Sequence, residues 1–142
     1  MIILGIDLGE RRIGFAVSDA EERLAVPSGF ALPRGNDEAL AAVLAKADQE
    51  RAGLLVVGHP LNMDGRAGPK ARGAEEFRRR LETAGREAVL WDERLTTAEA
   101  SRLLKEAGMS RRRRRTHVDA QAAQRLLGSF LECRRRTRES GG

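Results

Sequence analysis

The first eight residues constrain the fold most, because they form an apolar run that contains a single carboxylate near its end. The segment Met1-Ile2-Ile3-Leu4-Gly5-Ile6-Asp7-Leu8-Gly9 predicts a buried strand over Ile2–Leu8. A carboxylate in a buried strand is costly unless a hydrogen-bond donor or a cation compensates it. Asp7 is therefore expected either to stabilise a turn through an Asx-type hydrogen bond or to bind a cation.

The rest of the chain alternates between strand and helix patterns. Further strands are predicted at Ile13–Ser18, Leu24–Leu32, Leu54–Gly58 and Ala88–Trp91. Helices are predicted from Asn36 or Asp37 to about Arg51, from Pro69 to before Gly85, from Thr96 or Thr97 to Ala107, and from Val118 to about Cys133. Three hairpin-type strands followed by alternating helices and strands predict an α/β fold, a mixed five-stranded sheet flanked by helices. We expect one domain over residues 1–134, with a basic connector at Gly108–Arg115 and a basic, disordered tail at 135–142.

The bulk composition narrows the class of protein. A chain of 142 residues with 41% hydrophobic and 33% charged residues has the size and balance of one soluble domain. It contains no apolar stretch long enough to span a bilayer and does not begin with a secretion signal. Cys133 is its one cysteine, so an intrachain disulfide is impossible. These features predict a cytoplasmic protein without a membrane partner.

Positive charge is concentrated at one end of the chain. Residues 109–142 carry a net charge of +7, whereas residues 1–108 carry −2. A basic end on a nearly neutral body indicates a polyanionic partner, most simply nucleic acid, although composition alone leaves a membrane surface or an acidic protein open. With no Tyr, four Phe and one Trp, the chain has few rings for stacking bases, so recognition should favour phosphates and backbone shape.

Two further acidic segments are candidates to join Asp7. Asp92-Glu93 follows the fifth predicted strand and Asp119 opens the last predicted helix. Acidic residues at the carboxyl ends of neighbouring strands meet at a sheet crevice, and three converging carboxylates would bind a hard cation. Strand alternation does not decide whether Asp92 or Glu93 points inward. In isolation, Asp119 is better explained as part of a capping box with Thr116.

The segment Val57-Gly58-His59-Pro60-Leu61-Asn62-Met63-Asp64-Gly65 predicts a loop at a strand end. Such a loop can position a substrate through Asn62 and backbone groups, or it can be a plain turn. His59 is a candidate proton shuttle or phosphate contact, but a lone histidine is more often incidental.

Together these motifs resemble the YqgF-type family of pre-16S rRNA nucleases, also described as Holliday-junction-resolvase-like. The resemblance is carried in order by Gly5-Ile6-Asp7-Leu8-Gly9 with Arg12-Ile13-Gly14 and Ser18-Asp19, by Gly58 with Pro60-Leu61-Asn62-Met63-Asp64-Gly65, by Asp92-Glu93-Arg94-Leu95-Thr96-Thr97, and by Val118-Asp119 with Ala122-Ala123. It covers residues 2 to about 132 and departs from the family at His59, where an aliphatic residue is more common.

The resemblance implies an RNase H-like fold and a metal-binding set made of Asp7, Glu93 and Asp119. It favours Glu93 over Asp92 as the metal ligand, and it implies that Asp119 is a metal ligand and not only a helix cap. The implied reaction is hydrolysis of a phosphodiester assisted by Mg²⁺ or Mn²⁺. Asn62 would position the strand to be cut. The phosphate backbone would be held by Arg94 and by Arg111, Arg112, Arg113, Arg114 and Arg115.

Several functions remain open from the sequence. The leading hypothesis is a nuclease that processes the 5′ end of pre-16S rRNA, and a close variant cuts branched DNA. A junction-cutting role would favour a homodimer over a monomer. An actin-like ATPase would need a second lobe that 142 residues do not supply. A non-catalytic RNA-binding ribosome-assembly factor is the alternative outside the enzymes.

Overall fold

The computed structural model describes residues 1–95 and 111–141, and in the last helix it describes the side chains of residues 121–139. Five strands are described: β1 (Ile3–Leu8), β2 (Ile13–Ser18), β3 (Ala25–Ala31), β4 (Leu54–His59) and β5 (Ala88–Asp92). The helices are α1 (Asn36–Glu50), α2 (Pro69–Thr83) and α3 (Arg111–Gly141), and a 3₁₀ turn (Glu93–Leu95) follows β5 directly. The helix predicted from Thr96 or Thr97 to Ala107 lies outside the described residues.

The strands form one mixed sheet in the order β3-β2-β1-β4-β5. The first three strands pair antiparallel as consecutive hairpins, whereas β4 and β5 pair parallel to β1 and to each other. Parallel neighbours need crossover connections, and α1 and α2 supply them. The prediction of a mixed five-stranded α/β sheet is therefore confirmed, with β1 at its centre.

Each face of the sheet buries a separate apolar layer. On one face, Leu4 and Ile6 of β1 pack in a cluster with residues of α1 and α2, such as Val43 and Phe77. On the other face, Ile3 packs in a cluster with residues of α3. Because successive strand residues point to opposite faces, Gly5 and Asp7 share the α3 face with Ile3.

Gly5 allows α3 to approach β1 closely. A Cβ atom at Gly5 would lie 2.9 Å from Leu127 Cβ and 3.3 Å from the Ala123 carbonyl oxygen, so only glycine fits here without a shift of the helix. Farther along α3, Arg134 pairs with Glu22, which also binds the amino group of Met1 at the start of the chain. The helix therefore runs antiparallel to β1, and its N-terminal half extends toward the end of the strand that carries Asp7.

The last helix is longer than the sequence predicted, and two expectations are corrected. Arg111–Arg115 belongs to α3 instead of a connector, and the tail predicted to be disordered continues the helix to Gly141. Glu22 explains why the helix continues through the tail. Its side chain is only 8% exposed and forms ion pairs with Arg134 at 2.6 Å and with Arg138 at 3.3 Å. A carboxylate this buried needs cationic partners, and these partners hold the end of the helix against the domain.

The described helices include none that is both long and apolar enough to cross a membrane.

Candidate active site

Two of the predicted acidic residues meet at the carboxyl edge of the sheet. Asp7 lies near the end of β1, and Glu93 is the first residue of the 3₁₀ turn after β5. Strand β4 lies between β1 and β5. Its residue Val57 pairs with Ile6 on β1, and the next residue, Gly58, pairs with Trp91 on β5. The side chains of Glu93 and Asp7 are hydrogen-bonded to each other across this intervening strand.

The contact between the acids depends on the missing side chain at Gly58. A Cβ atom built at this position would collide with the Oε1 atom of Glu93 and would lie 3.2 Å from its Cγ and Cδ atoms. The Glu93 side chain thus rests on the bare backbone of β4 and occupies the space that any other residue would fill. The glycine is required here for close approach of a side chain, independently of its backbone angles.

Helix α3 fixes the segment that carries Glu93. The Trp91 ring nitrogen donates a hydrogen bond to the Ser129 hydroxyl at 3.1 Å, and this hydroxyl donates to the Leu95 carbonyl oxygen at 3.2 Å. The Trp91 ring also packs edge-on against Phe130, with the ring centroids 5.4 Å apart. One serine therefore connects residues on both sides of Glu93, which limits the movement of the 3₁₀ turn relative to the sheet.

The electrostatics of the pair are unusual for a surface carboxylate. The pKa of Glu93 is raised to about 7, chiefly because the side chain is buried. The negative charge of Asp7, the hydrogen bond with Asp7 and the charge of Asp92 add to this rise, in that order. The positive charge of Lys70 acts in the opposite direction but does not cancel the rise. Without a bound cation, the two acids therefore share a proton near neutral pH.

Asp92 is engaged elsewhere, which resolves the choice that strand alternation left open. Its carboxylate accepts hydrogen bonds from Arg94 Nε at 3.0 Å and Nη2 at 2.7 Å, and from the Arg94 backbone N–H at 2.9 Å. These bonds, chiefly those from the guanidinium, hold the pKa of Asp92 below its ordinary value. Asp92 pairs in register with His59 on β4, so it lies on the opposite face from Trp91. Glu93, and not Asp92, contacts Asp7.

The third predicted ligand is in α3, but its side chain is outside the described part of the structure. Asp119 and the arginines at 111–115 belong to the helix as backbone, and their contacts are not described. Among the side chains that are described, no group of three His, Cys, Asp or Glu residues is placed to hold a metal ion. The described part of the site is thus a pair of acids.

The remaining predicted site residues surround this edge. Asn62 is exposed in the loop after β4, where its backbone N–H donates to the Arg66 carbonyl at 2.9 Å. Arg94 donates to the Met63 carbonyl at 3.5 Å and so links the 3₁₀ turn to the same loop. His59 lies 3.3 Å from Glu75 on α2, on the face away from Glu93.

Sequence reasoning missed Lys70, the second residue of α2. Its positive charge partly opposes the rise in the pKa of Glu93. Its ammonium nitrogen lies 3.4 Å from a carboxylate oxygen of Glu10, in the turn between β1 and β2. Nothing in the local sequence distinguishes this lysine from a solvated residue in a first helical turn. Only the packing of α2 beside the β1–β2 turn brings its charge near the acids.

Comparisons with known proteins identify the family of this chain. A family profile described as "RuvX: Holliday junction resolvase" matches residues 1–133. A protein of Anaeromyxobacter dehalogenans (strain 2CP-C), named "Putative pre-16S rRNA nuclease", is 45% identical over 94% of this chain and 98% of its own. A protein of Pelotomaculum thermopropionicum with the same name is 42% identical over 100% of this chain and 94% of its own.

Solved structures show the same fold at much lower identity. RuvC of T. thermophilus in complex with a Holliday junction substrate superposes with a TM-score of 0.56 at 13% identity, over 94% of this chain and 95% of the other. The fowlpox virus resolvase in complex with Holliday junction DNA has a TM-score of 0.58 at 10% identity, over 94% and 98% of the two chains. The fold is therefore RNase H-like, as the resemblance implied.

The family profile spans the strand that carries Asp7, the glycine under Glu93 and the helix that packs on Gly5, and the close relatives cover the same length. This chain therefore belongs to the RuvX family.

Proposed function

We propose that this protein is a metal-dependent nuclease that hydrolyses phosphodiester bonds, with Asp7, Glu93 and Asp119 as its catalytic acids. The observation that carries the proposal is the contact of Asp7 with Glu93 at the carboxyl edge of the sheet, where burial and the neighbouring charge raise the pKa of Glu93 to about 7. Two acids held in contact despite their mutual repulsion, with a strongly shifted pKa, are typical of a functional site. The family to which the chain belongs supports the same reaction class.

The acidic pair suits a divalent cation. Its ligand atoms are carboxylate oxygens, which Mg²⁺ and Mn²⁺ prefer. A bound cation would offset the burial and the repulsion by Asp7 that raise the pKa of Glu93. When bound there, the ion supplies Lewis-acid activation of water and stabilises charge on the leaving oxygen. Glu93 would enter such a site as a carboxylate, so it must first lose the proton that it shares with Asp7.

Asp119 would complete the ligand set from α3. It precedes Ala123 by four residues, and Ala123 lies on the face of α3 that contacts Gly5. Residues four apart share a helix face, so Asp119 is expected on the same side, one turn nearer to the end of β1 that carries Asp7. This periodicity supports its assignment as the third acid.

Arginines would hold the nucleic acid beside the acids. Arg94 is fixed by Asp92 next to the loop that contains Asn62, so it can contact a phosphate with little loss of side-chain entropy. Arg111 to Arg115 concentrate positive charge at the start of α3, the end of the helix that extends toward the acidic edge. Asn62, exposed at the same edge, would orient the strand to be cut.

The substrate that we propose is the 5′ end of pre-16S rRNA, because the close relatives carry that name over nearly the full length of this chain. Ribosome biogenesis would then place the protein in the cytoplasm. Branched DNA is the second candidate, favoured by the description of the matching family profile. A monomer suffices for trimming one RNA strand, whereas symmetric cutting of a junction requires a homodimer.

The test compares purified wild type with Asp7→Asn, Glu93→Gln and Asp119→Asn on pre-16S rRNA and on four-way DNA junctions, with Mn²⁺ or Mg²⁺. Each variant should lower cleavage by at least about 100-fold, while binding of the substrate changes little because the arginines carry it. Glu75→Gln is the matched control, since Glu75 is an acid on the opposite face that contacts His59.

Each outcome separates the hypotheses. Cleavage of RNA alone supports rRNA processing, and cleavage of junctions alone supports the branched-DNA variant. RNA binding without cleavage by the wild type would contradict the nuclease and leave the non-catalytic assembly factor. Equal cleavage by wild type and the three variants would contradict the catalytic assignment.

A further inference from the structure

An exposed aromatic ring lies on the same face of the sheet as the acidic pair. In the antiparallel register, Asp7 is paired with Gly14 on β2, and Gly14 is paired with Phe30 on β3. Paired residues of antiparallel strands point to the same face, so Phe30 and Asp7 belong to one row across the sheet. The residue between them in this row is Gly14, which has no side chain.

The spacing within this row is short. Two steps between neighbouring strands, each about 4.8 Å, place the backbones of Asp7 and Phe30 roughly 10 Å apart. This is the scale of the distance from a phosphate group to the base of an adjacent nucleotide. A phosphate held at the acids would therefore bring a neighbouring base within reach of the ring.

The ring is accessible and is accompanied by a cation. Phe30 is 41% exposed, which is a large fraction for a phenylalanine on a strand. The guanidinium carbon of Arg12 lies 5.3 Å from the centroid of the Phe30 ring, within the range of a cation–π interaction. The backbone of Arg12 is fixed in the turn after β1, where its carbonyl accepts a hydrogen bond from the Gly9 N–H at 2.7 Å.

We propose that Phe30 and Arg12 form a binding site for one nucleobase of a single-stranded segment, next to the phosphate that is cut. The inference rests on the proposed nuclease function and adds a base-binding position to it. An aromatic ring and a planar guanidinium both stack on bases without regard to sequence, and the arginine adds charge complementary to the phosphate backbone. A base inside a regular duplex cannot reach the ring, so the site selects single-stranded or locally opened substrate.

The test measures binding without cleavage. The full-length protein, in the presence of EDTA, is titrated into single-stranded RNA of about ten nucleotides that carries 2-aminopurine at one position, and into DNA of the same sequence. Phe30→Ala should weaken binding about tenfold and abolish the fluorescence change at the stacked position. Phe30→Trp, which keeps a stacking surface, should restore both.

Val26→Ala is the matched control, because Val26 is also exposed on β3, at 51%, but is paired with Val17 and so lies on the opposite face from Gly14. It should bind as the wild type does. Phe30→Ala binding with wild-type affinity and fluorescence, or Val26→Ala losing as much as Phe30→Ala, would overturn the base-binding site.

A parallel cleavage assay with Mn²⁺ separates this inference from the function on which it rests. If the wild type cleaves and Phe30→Ala binds and cleaves equally well, the base-binding site alone is wrong. If the wild type neither binds nor cleaves any of the oligonucleotides, the proposed function fails and the site with it.

Discussion

Replacing Glu93 with glutamine should stabilise the metal-free protein, which is the opposite of what loss of a half-buried hydrogen-bonding residue normally does. The substitution keeps the shape of the side chain and removes the charge that repels Asp7. Because the pKa of Glu93 rises from 4.5 to about 7, its ionised form is less favourable in the folded protein than in the unfolded chain. Glutamine has no ionisable group, so the folded protein does not lose this free energy.

The magnitude follows from the rise in pKa. At about 1.4 kcal/mol for each unit of pKa, the ionised carboxylate destabilises the fold by at most about 3.5 kcal/mol. Solvent screening at a half-buried site reduces this to about 1–2 kcal/mol. A folded-state pKa that is raised makes the wild type lose stability as pH increases from about 4.5 through 7. The advantage of Glu93→Gln is therefore full at pH 8 and falls to roughly a quarter of that at pH 5.

Urea denaturation in EDTA at pH 5 and pH 8 measures this difference. Asp92→Asn is the matched control: the pKa of Asp92 is lowered by Arg94, so its contribution is constant between pH 5 and pH 8, and the variant should be slightly less stable at both. A Glu93→Gln variant that is less stable than wild type at pH 8, or equally changed at both pH values, would refute the reasoning.

Three other outcomes are expected. In isothermal titration, Mn²⁺ affinity should rise about tenfold for each pH unit up to pH 7 and level off above it, because Glu93 must release a proton; an affinity independent of pH would contradict this. Gly58→Ala should fold normally, because the clash falls on the end of a flexible side chain, but it should bind Mn²⁺ at least about tenfold more weakly as Glu93 is displaced. Unchanged Mn²⁺ affinity would count against the role of the glycine. Replacing Arg111–Arg115 with glutamines should reduce the salt dependence of RNA binding by roughly 0.7 in log–log slope for each phosphate contact removed, and an unaltered slope would exclude these arginines from the interface.

The sequence predicted most of the sheet because its signals are local. The apolar run before Asp7 and the short run at Leu54–Gly58 identify buried strands without knowledge of their partners, and the hairpin spacing sets the direction of the first three strands. The same pattern places Asp7 at the carboxyl end of β1. Every predicted strand end lies within one residue of the observed one.

The choice between Asp92 and Glu93 depended on contacts that alternation cannot supply. The strand ends at Asp92, and the next residue enters a 3₁₀ turn whose direction is set by Ser129, far along the chain. Arg94, two residues after Asp92, turns back to bind it. A motif comparison favoured Glu93 for the same position, but the physical reason is the empty space at Gly58.

The sequence predicts a last helix shorter than α3, because it assigns the arginines at 111–115 to a connector and the residues after 134 to a tail. Arginine is a good helix former, so a run of arginines does not have to end a helix. At the other end, the stabilising partner of Arg134 is Glu22, 112 residues away in the sequence. No local pattern reveals a contact of that separation.

The arrangement of the three acids is tested most directly by anomalous diffraction from crystals grown with Mn²⁺. The account predicts a Mn²⁺ peak at the carboxyl edge of the sheet, with oxygens of Asp7, Glu93 and Asp119 at about 2.1 Å. Mn²⁺ bound elsewhere, or an Asp119 carboxylate too distant to share the ion with the other two, would contradict it.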